Sequence, residues 1–446
     1  MEQKEKLNTL VLYTCATCNL NCRYCNIDKN PALKMIDNIL AESYETDYYF
    51  EKTKKYFPDR TQLEKIEIWG GEPIYHVERI DKLLSQIIEY YPYFDSFFSS
   101  TNFSYPQWVD KVLGLFKVFG KYPYRKFHIT LQLSCDGPEY INDASRGKGV
   151  TARCIENFDK LLSVIGNNMS PNIQLHLAIK QTLDVDSVKL LQTKESIIEY
   201  YKFFEDNFID KVEKLNYTNV YMPRTVPNMA VPSPATIKNG EEFANLARLC
   251  REIEKEKVLK YYELITPMTP IVCQTALTYC YSKNNCGIGS TMIGFLPNDI
   301  ICKCHAGFVD FVSEYKKYYN EGNEKIISLS DFLKEQPLSH CVTEEEYKQF
   351  EYKMSLLNQD GTYSRLVALT NEILALAMSG QIDKKFLNYH NALKAAIHVQ
   401  STTPFCIRDN YDVTGSIELY PLGNVRQVLV GGENFTWLEE ENQLDE

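Results

Sequence analysis

Three cysteines with the chemistry of metal ligands stand together near the start of the chain. Cys18, Cys22 and Cys25 occupy the run Cys-Asn-Leu-Asn-Cys-Arg-Tyr-Cys, separated by three and then two residues. Three thiolates on one tight loop can hold three irons of a [4Fe–4S] cluster. The fourth iron then keeps an open position, which reaction at a metal needs. The competing use of such a loop is a zinc knuckle or a set of plain buried cysteines. Structural zinc is normally closed by four ligands, and Cys15 is near enough in sequence to be the fourth.

Other residues with chemical capacity follow short strand-like runs. Gly70-Gly71-Glu72-Pro73 ends the β-branched run at 65–69. Glycines let backbone approach a ligand closely, and they also end strands in ordinary turns. Thr101-Asn102-Phe103 follows the run at 94–100. Ser134-Cys-Asp136-Gly-Pro138 ends the run at 127–134, and Arg146 lies twelve residues after Ser134. A guanidinium suits a carboxylate, bidentately. A surface ion pair is the plainer use of Arg146, and an Asx turn the plainer use of Ser134 and Asp136. Gln174 and His176 alternate on a fifth run, where His176 either lines a cavity or sits satisfied in the core. A second cysteine group comprises Cys280, Cys286, Cys302 and Cys304, followed by His305, then Cys341 and Cys406. Four of these cysteines suit zinc as well as an iron–sulfur cluster.

The elements that must position these residues are read from periodicity. Strands are expected at 8–14, 65–69, 94–100, 127–134, 173–179 and 217–222. Helices are expected at 33–56, 77–90, 107–119, 150–165 and 185–208. Such alternation implies a parallel sheet with helices outside. A doubly wound open sheet and a (β/α) barrel both fit, and both gather ligands at the C-terminal ends of the strands. The cysteine loop, Gly70-Gly71, Asn102 and Ser134 fall at those ends. Prolines 223, 227, 232 and 234 mark a linker or lid and a domain boundary near residue 235. A bridging helix and the second cysteine group fill 236–343. Residues 344–446 read as mostly helical, with an amphipathic period at Leu366, Leu369, Ile373 and Leu376 and strand-like pieces at 416–430.

Composition narrows the class. A chain of 446 residues suggests two to three domains, and 44% hydrophobic content supports a large core. Fourteen cysteines behind a charged N-terminus without an apolar export segment argue against a disulfide framework and for a reducing cytoplasm. No window approaches the length of apolar sequence that spans a membrane. The net charge of −11 disfavours a nucleic-acid partner, while leaving room for local basic patches or a basic peptide.

The spacing of Cys18, Cys22 and Cys25, with Tyr24 just before the last, resembles the radical S-adenosylmethionine (SAM) superfamily. The resemblance implies a partial (β/α)6 barrel. It also implies a cluster whose free iron chelates SAM and whose electron cleaves it to a 5′-deoxyadenosyl radical. Gly70-Gly71-Glu72-Pro73 is similar to the family's GGEP motif beside the methionine amino group. Ser134, Asp136 and Arg146 resemble the S-x-D-G-P stretch and later arginine of the branch that modifies peptides and proteins, where serine and arginine help hold SAM. Asn142 stands where that branch commonly has histidine. Asn102 resembles the Thr-Asn-Gly that ends the third strand, with Phe103 replacing the glycine. Tyr24 is expected near the adenine.

The second cysteine group resembles the start of a SPASM or twitch domain, which holds auxiliary clusters. By that pattern Cys280, Cys286 and Cys304 are ligands of one auxiliary [4Fe–4S] cluster, and Cys341 or Cys406 supplies the fourth. Cys302 is extra, and the cysteines are too few for two such clusters. Where sulfatase-maturing relatives place a basic aspartate, this chain has His305, which could act as base near neutral pH. The reading is an enzyme that abstracts hydrogen from a peptide or protein, giving an oxidised or cross-linked residue. Its electron donor would resemble flavodoxin or ferredoxin. Small-molecule radical chemistry and a non-catalytic Fe–S carrier or redox sensor are the rivals. The barrel begins at once, so no leader-recognition domain is expected before it.

Overall fold

The computed structural model describes residues 7–25, 27 and 32–229. It also describes 245–261 in part, 291–297, 300–302, 308, 312, 341–342, 417–419, 427–430 and 433–436. Strand β1 (Thr9–Cys15) has the sequence TLVLYTC, and every residue in it is buried. That is the signature of a parallel strand covered on both faces. It pairs in parallel with β2 (Lys65–Gly70) on one side. The sheet continues through β3 (Ser96–Thr101), β4 (Phe127–Ser134), β5 (Ile173–Leu183) and β6 (Val220–Met229), each parallel to its neighbour.

Each strand pairs with the next in sequence, so every crossover steps the same way. A doubly wound sheet would reverse at a switch point, and none occurs between β1 and β6. The unit is the singly wound arrangement of a partial (β/α) barrel. Its two faces are legible in β5, where Leu175, Leu177 and Ile179 are buried under the helices. Gln174, His176, Ala178 and Lys180 alternate with them on the half-exposed inner face.

The helices are α1 (Ala32–Glu45), α2 (Tyr48–Tyr56), α3 (Asp81–Tyr90), α4 (Trp108–Gly120), α5 (Glu139–Arg146), α6 (Val150–Asn168), α7 (Val185–Leu190), α8 (Lys194–Phe204) and α9 (Asp210–Leu215). A 3-10 stretch, Pro73–Ile80, leads into α3. The expected helix at 185–208 is two helices. Thr193 breaks it by capping α8, its side chain accepting from the Ser196 backbone N–H. Helix α5 escapes a search for apolar periodicity because its buried face is Ile141 with three polar residues, Asn142, Ser145 and Arg146.

One expectation about connections is corrected. Pro223 and Pro227 lie within β6 and not in a linker. Strand β6 is the sheet edge, where a strand tolerates residues with no N–H to donate. Strands β7 (Met292–Leu296) and β8 (Ile300–Cys302) form an antiparallel pair on either side of Pro297. Yet β7 joins the barrel's own sheet, parallel to β1 on the edge away from β2. Strand β9 (Cys341–Val342) extends it, with Cys341 directly opposite Cys302. A separate antiparallel sheet contains β10 (Ile417–Leu419), β11 (Gln427–Val430) and β12 (Glu433–Thr436), where strand-like pieces were read. The helical reading of 344–398 lies outside the described residues. Among the described residues no helix is long and apolar enough to cross a membrane.

Candidate functional site

The cysteine loop leaves the C-terminal end of β1 and is fastened along its whole length. The Ala16 N–H donates to Asp37 Oδ1 at 3.0 Å, and Asp37 takes a bidentate bond from Arg79. Arg79 also donates to the Thr14 carbonyl at 2.9 Å. Asn19 donates to Ser104 Oγ at 3.2 Å. The Arg23 N–H donates to the Ser145 carbonyl at 2.8 Å, and its guanidinium bridges Asp184 and Asp186. Three loop residues, Ala16, Asn19 and Arg23, are thereby tied to helix α1, to the ends of β3 and β5 and to helix α5.

Cys15 is separated from the other three cysteines by full burial and by its hydrogen bond to a backbone carbonyl. It is fully buried and its thiol donates to the Glu72 carbonyl at 2.9 Å. Burial, followed by the nearby Asp37 charge, pushes its pKa far up. A thiol that donates to backbone carbonyls is engaged as a thiol rather than as a thiolate ligand. Cys18 and Cys22 are half-buried and Cys25 is exposed. The charges of Cys22 and Cys25 both bear on Cys18, whose pKa is pushed up to about 12, chiefly by burial and then by Glu72. Cys22 is raised by burial against the pull of Arg146. The Leu20 N–H and the Asn102 side-chain amide both point at Cys18 Sγ, each at 3.4 Å. N–H donors on sulfur are among the contacts by which a protein tunes a cluster.

Gly70 and Gly71 meet the cysteine loop itself. A Cβ on Gly70 would lie 2.1 Å from the Cys15 carbonyl oxygen, and one on Gly71 would lie 2.2 Å from that of Thr17. Gly70 also has φ of 137°. The Gly71 N–H donates to the Cys15 carbonyl at 3.0 Å and the Glu72 N–H to the Thr17 carbonyl at 2.9 Å. The glycines thus let the end of β2 lie directly against the loop.

Glu72 is buried and works as a hub. Its carboxylate accepts from Thr101 Oγ1 at 2.5 Å, the Asn102 N–H at 2.6 Å and the Ile74 N–H at 3.2 Å. Burial raises its pKa to about 7 although these donors pull it down. Through Glu72 the end of β2 holds the end of β3. There Asn102 donates to Asn19 Oδ1 at 2.9 Å as well as to Cys18. Phe103, at the position of the family's glycine, has φ of 39°. The left-handed backbone is present although the glycine is not. Phe103 is fully buried, with Trp108 at 5.7 Å and Phe208 at 6.3 Å between ring centroids.

Asp136 and Arg146 form a buried pair at the end of β4. Arg146 donates through Nε at 3.0 Å and Nη2 at 2.7 Å. Asp136 also accepts from the Tyr24 hydroxyl at 2.5 Å and the Thr182 N–H at 2.9 Å. Arg146 lies over the Tyr24 ring, 5.5 Å from its centroid. Burial works against the Arg146 charge, Asp136 more than offsets it, and the net shift is upward. The fork expected to meet a ligand carboxylate therefore grips Asp136, and among the described residues Nη1 has no hydrogen-bond partner. Asn142 Oδ1 accepts the Asp136 N–H at 2.8 Å and its amide donates to Thr151 at 2.9 Å, a role an amide fills fully. Ser134 is buried at the end of β4, opposite Lys180 on β5.

The site residues Cys18, Cys22, Cys25, Tyr24, Gly70, Gly71, Glu72, Asn102, Asp136 and Arg146 converge in one network at the C-terminal ends of β1 to β4. Asn19, Ser104 and Lys180 belong to the same region and escaped the motif reading, and Thr101, quoted there only as part of its motif, holds Glu72. Lys180 continues the alternation of Gln174 and His176 just past the strand end expected at 179. Cys280, Cys286, Cys304, His305 and Cys406 lie outside the described residues, and Cys341 is described only as backbone of β9.

Three cysteines on one loop, with two N–H donors aimed at the Cys18 sulfur, are a donor set that could hold three irons of a [4Fe–4S] cluster.

No family model and no curated protein matches the chain. Among solved structures, it is similar to SuiB of Streptococcus suis. The form crystallised with S-adenosylmethionine is 19% identical with a TM-score of 0.39, covering 67% of this chain and 58% of that one. A second SuiB structure is 17% identical with a TM-score of 0.40, covering 75% and 67%. The chain thus spans about three fifths to two thirds of the length of these SuiB chains. Likenesses this distant carry no chemistry, which rests on the residues above.

Proposed function

We propose that the chain is a radical SAM enzyme acting on a peptide or protein. The observation that carries the reading is the sorting of the four N-terminal cysteines. Cys15 is a buried thiol, while Cys18, Cys22 and Cys25 stay together on a loop at the mouth of a singly wound barrel. Three loop cysteines with Cys15 engaged elsewhere suit a [4Fe–4S] cluster that can bind a further molecule, and such a cluster supplies the electron that cleaves SAM and starts hydrogen abstraction.

The chain's own residues orient and exclude water. The Leu20 N–H and the Asn102 amide direct positive dipoles at the Cys18 sulfur, which favours its anionic form. Glu72 keeps the ends of β2 and β3 in register beneath the loop. Tyr24, Arg146 and Asp136 close the side toward β4, and Arg146 Nη1 and the Ser134 hydroxyl are the groups available to a bound SAM. An auxiliary cluster on Cys280, Cys286 and Cys304, with Cys341 or Cys406, belongs to the proposal on sequence alone. So do His305 as base and a flavodoxin- or ferredoxin-like electron donor.

The test is anaerobic reconstitution of the full chain with iron and sulfide, followed by dithionite and SAM. 5′-Deoxyadenosine is expected, with background levels from Cys18→Ala, Cys22→Ala and Cys25→Ala. Native-rate production by Cys18→Ala would sink the reading.

A further inference from the structure

The inner face of the sheet from β4 to β6 reverses the charge of the molecule. His128 on β4, His176 and Lys180 on β5, and Arg224 on β6 all lie on it. The inward positions between them are Thr130, Gln132 and Ser134 on β4 and Gln174 on β5, all neutral. The four bases form one strip. His128 Nδ1 and His176 Nε2 are 3.0 Å apart, and His176 stacks on Tyr221 with ring centroids 4.2 Å apart. Arg224 pairs in register with Ala178, between His176 and Lys180.

The carboxylates at the edges of this strip are already engaged. Asp136 is held by Arg146, Asp184 by Arg23, and Glu67 on β2 by Lys65 at 2.6 Å. Among the described residues neither Lys180 nor Arg224 has an ion pair. Burial, then Arg146, lowers the Lys180 pKa. Burial, then His128 and Arg224, lowers that of His176. Lys180, which also feels the Asp136 charge, and Arg224 have no ion pair among the described residues and stand beside two histidines on the inner wall of the sheet, so in a chain of net charge −11 they focus a local positive field.

We infer that this face binds an acidic segment of an extended peptide, with carboxylates at alternate positions against Lys180 and Arg224. The inference rests on the peptide reading above and narrows it from any peptide to an acidic one. The spacing agrees. One strand and two residues separate Arg224 from Lys180, about 8 Å between Cα atoms from ordinary sheet spacings, and alternate residues of an extended peptide lie about 7 Å apart.

The probe is a rhodamine-labelled peptide of alternating glycine and glutamate, about twelve residues long, titrated with the full chain at low salt and followed by anisotropy. Binding is expected to weaken as salt rises. It should fall about tenfold in Lys180→Gln/Arg224→Gln and stay unchanged in Lys117→Gln/Lys160→Gln, which removes equal charge from the outer helices. Arg224 is exposed, so Arg224→Gln alone, expected to weaken binding about threefold, serves if the double variant does not fold. Equal affinity in wild type and the inner-face variants overturns the inference. Equal binding of a glycine–lysine peptide, or no binding of the acidic one, does so too. The measurement involves no SAM cleavage, so it fails or succeeds separately from the 5′-deoxyadenosine assay.

Discussion

The Tyr24 hydroxyl donates a 2.5 Å hydrogen bond to Oδ2 of Asp136, 112 residues away. A residue inside the cysteine loop is thereby anchored to the end of β4, on the carboxylate that also holds the buried Arg146. The loop's shape therefore depends on an ion pair outside it. Asp136→Asn should leave the Arg146 charge buried without its counter-charge and cost about 3–5 kcal/mol in urea unfolding. Asp136→Asn combined with Arg146→Met should cost less than the sum of the two single changes, because the second change removes the stranded charge.

Glu72 gives the chain a pH dependence of definite sign. Its folded pKa of about 7 lies above the ordinary value of 4.5. Between those values the folded chain keeps a proton that the unfolded chain has released. This contribution is fully present below pH 4.5 and is lost as pH rises through 7. Its full span is about 3 kcal/mol. Urea midpoints measured from pH 4 to 8 should fall more steeply for wild type than for Glu72→Gln. Parallel profiles would show that Glu72 is ionised throughout.

Gly71 should be required for metal loading through the loop's backbone. A Cβ there would lie 2.2 Å from the Thr17 carbonyl oxygen and 2.6 Å from that of Ala16, so Gly71→Ala must push the cysteine loop off the end of β2. The expected outcome is iron and sulfide content reduced severalfold after reconstitution, with far-ultraviolet circular dichroism close to wild type. Full loading of Gly71→Ala would refute this.

Phe103 sets two effects against each other. Truncating a buried Phe to Ala costs about 3–5 kcal/mol, and alanine keeps the unfavourable positive φ. Glycine loses the same ring but relieves the backbone by about 1 kcal/mol. Phe103→Gly should therefore unfold at a higher urea concentration than Phe103→Ala, opposite to the usual ranking of the two residues. The reverse order would mean that the backbone relaxes in the alanine variant.

What the chain declares locally was legible without coordinates. The spacing of Cys18, Cys22 and Cys25 and the glycines before Glu72 are short-range patterns. The alternation of apolar runs with helical periods is another, and it places β1 to β5 within a few residues, while β6 (Val220–Met229) runs well past the expected 217–222. Periodicity alone left a doubly wound sheet and a barrel open, because both share that alternation, and only the cysteine-motif resemblance pointed to the barrel. Strand order, which is a set of long-range pairings, decided it. Tertiary contact also chose what each polar group meets. Arg146 grips Asp136, Cys15 turns to the Glu72 carbonyl, β7 joins β1, and α5 buries polar residues that no apolar period reveals. A motif states which groups are available, and the packing of distant strands states which of them are already spent on each other.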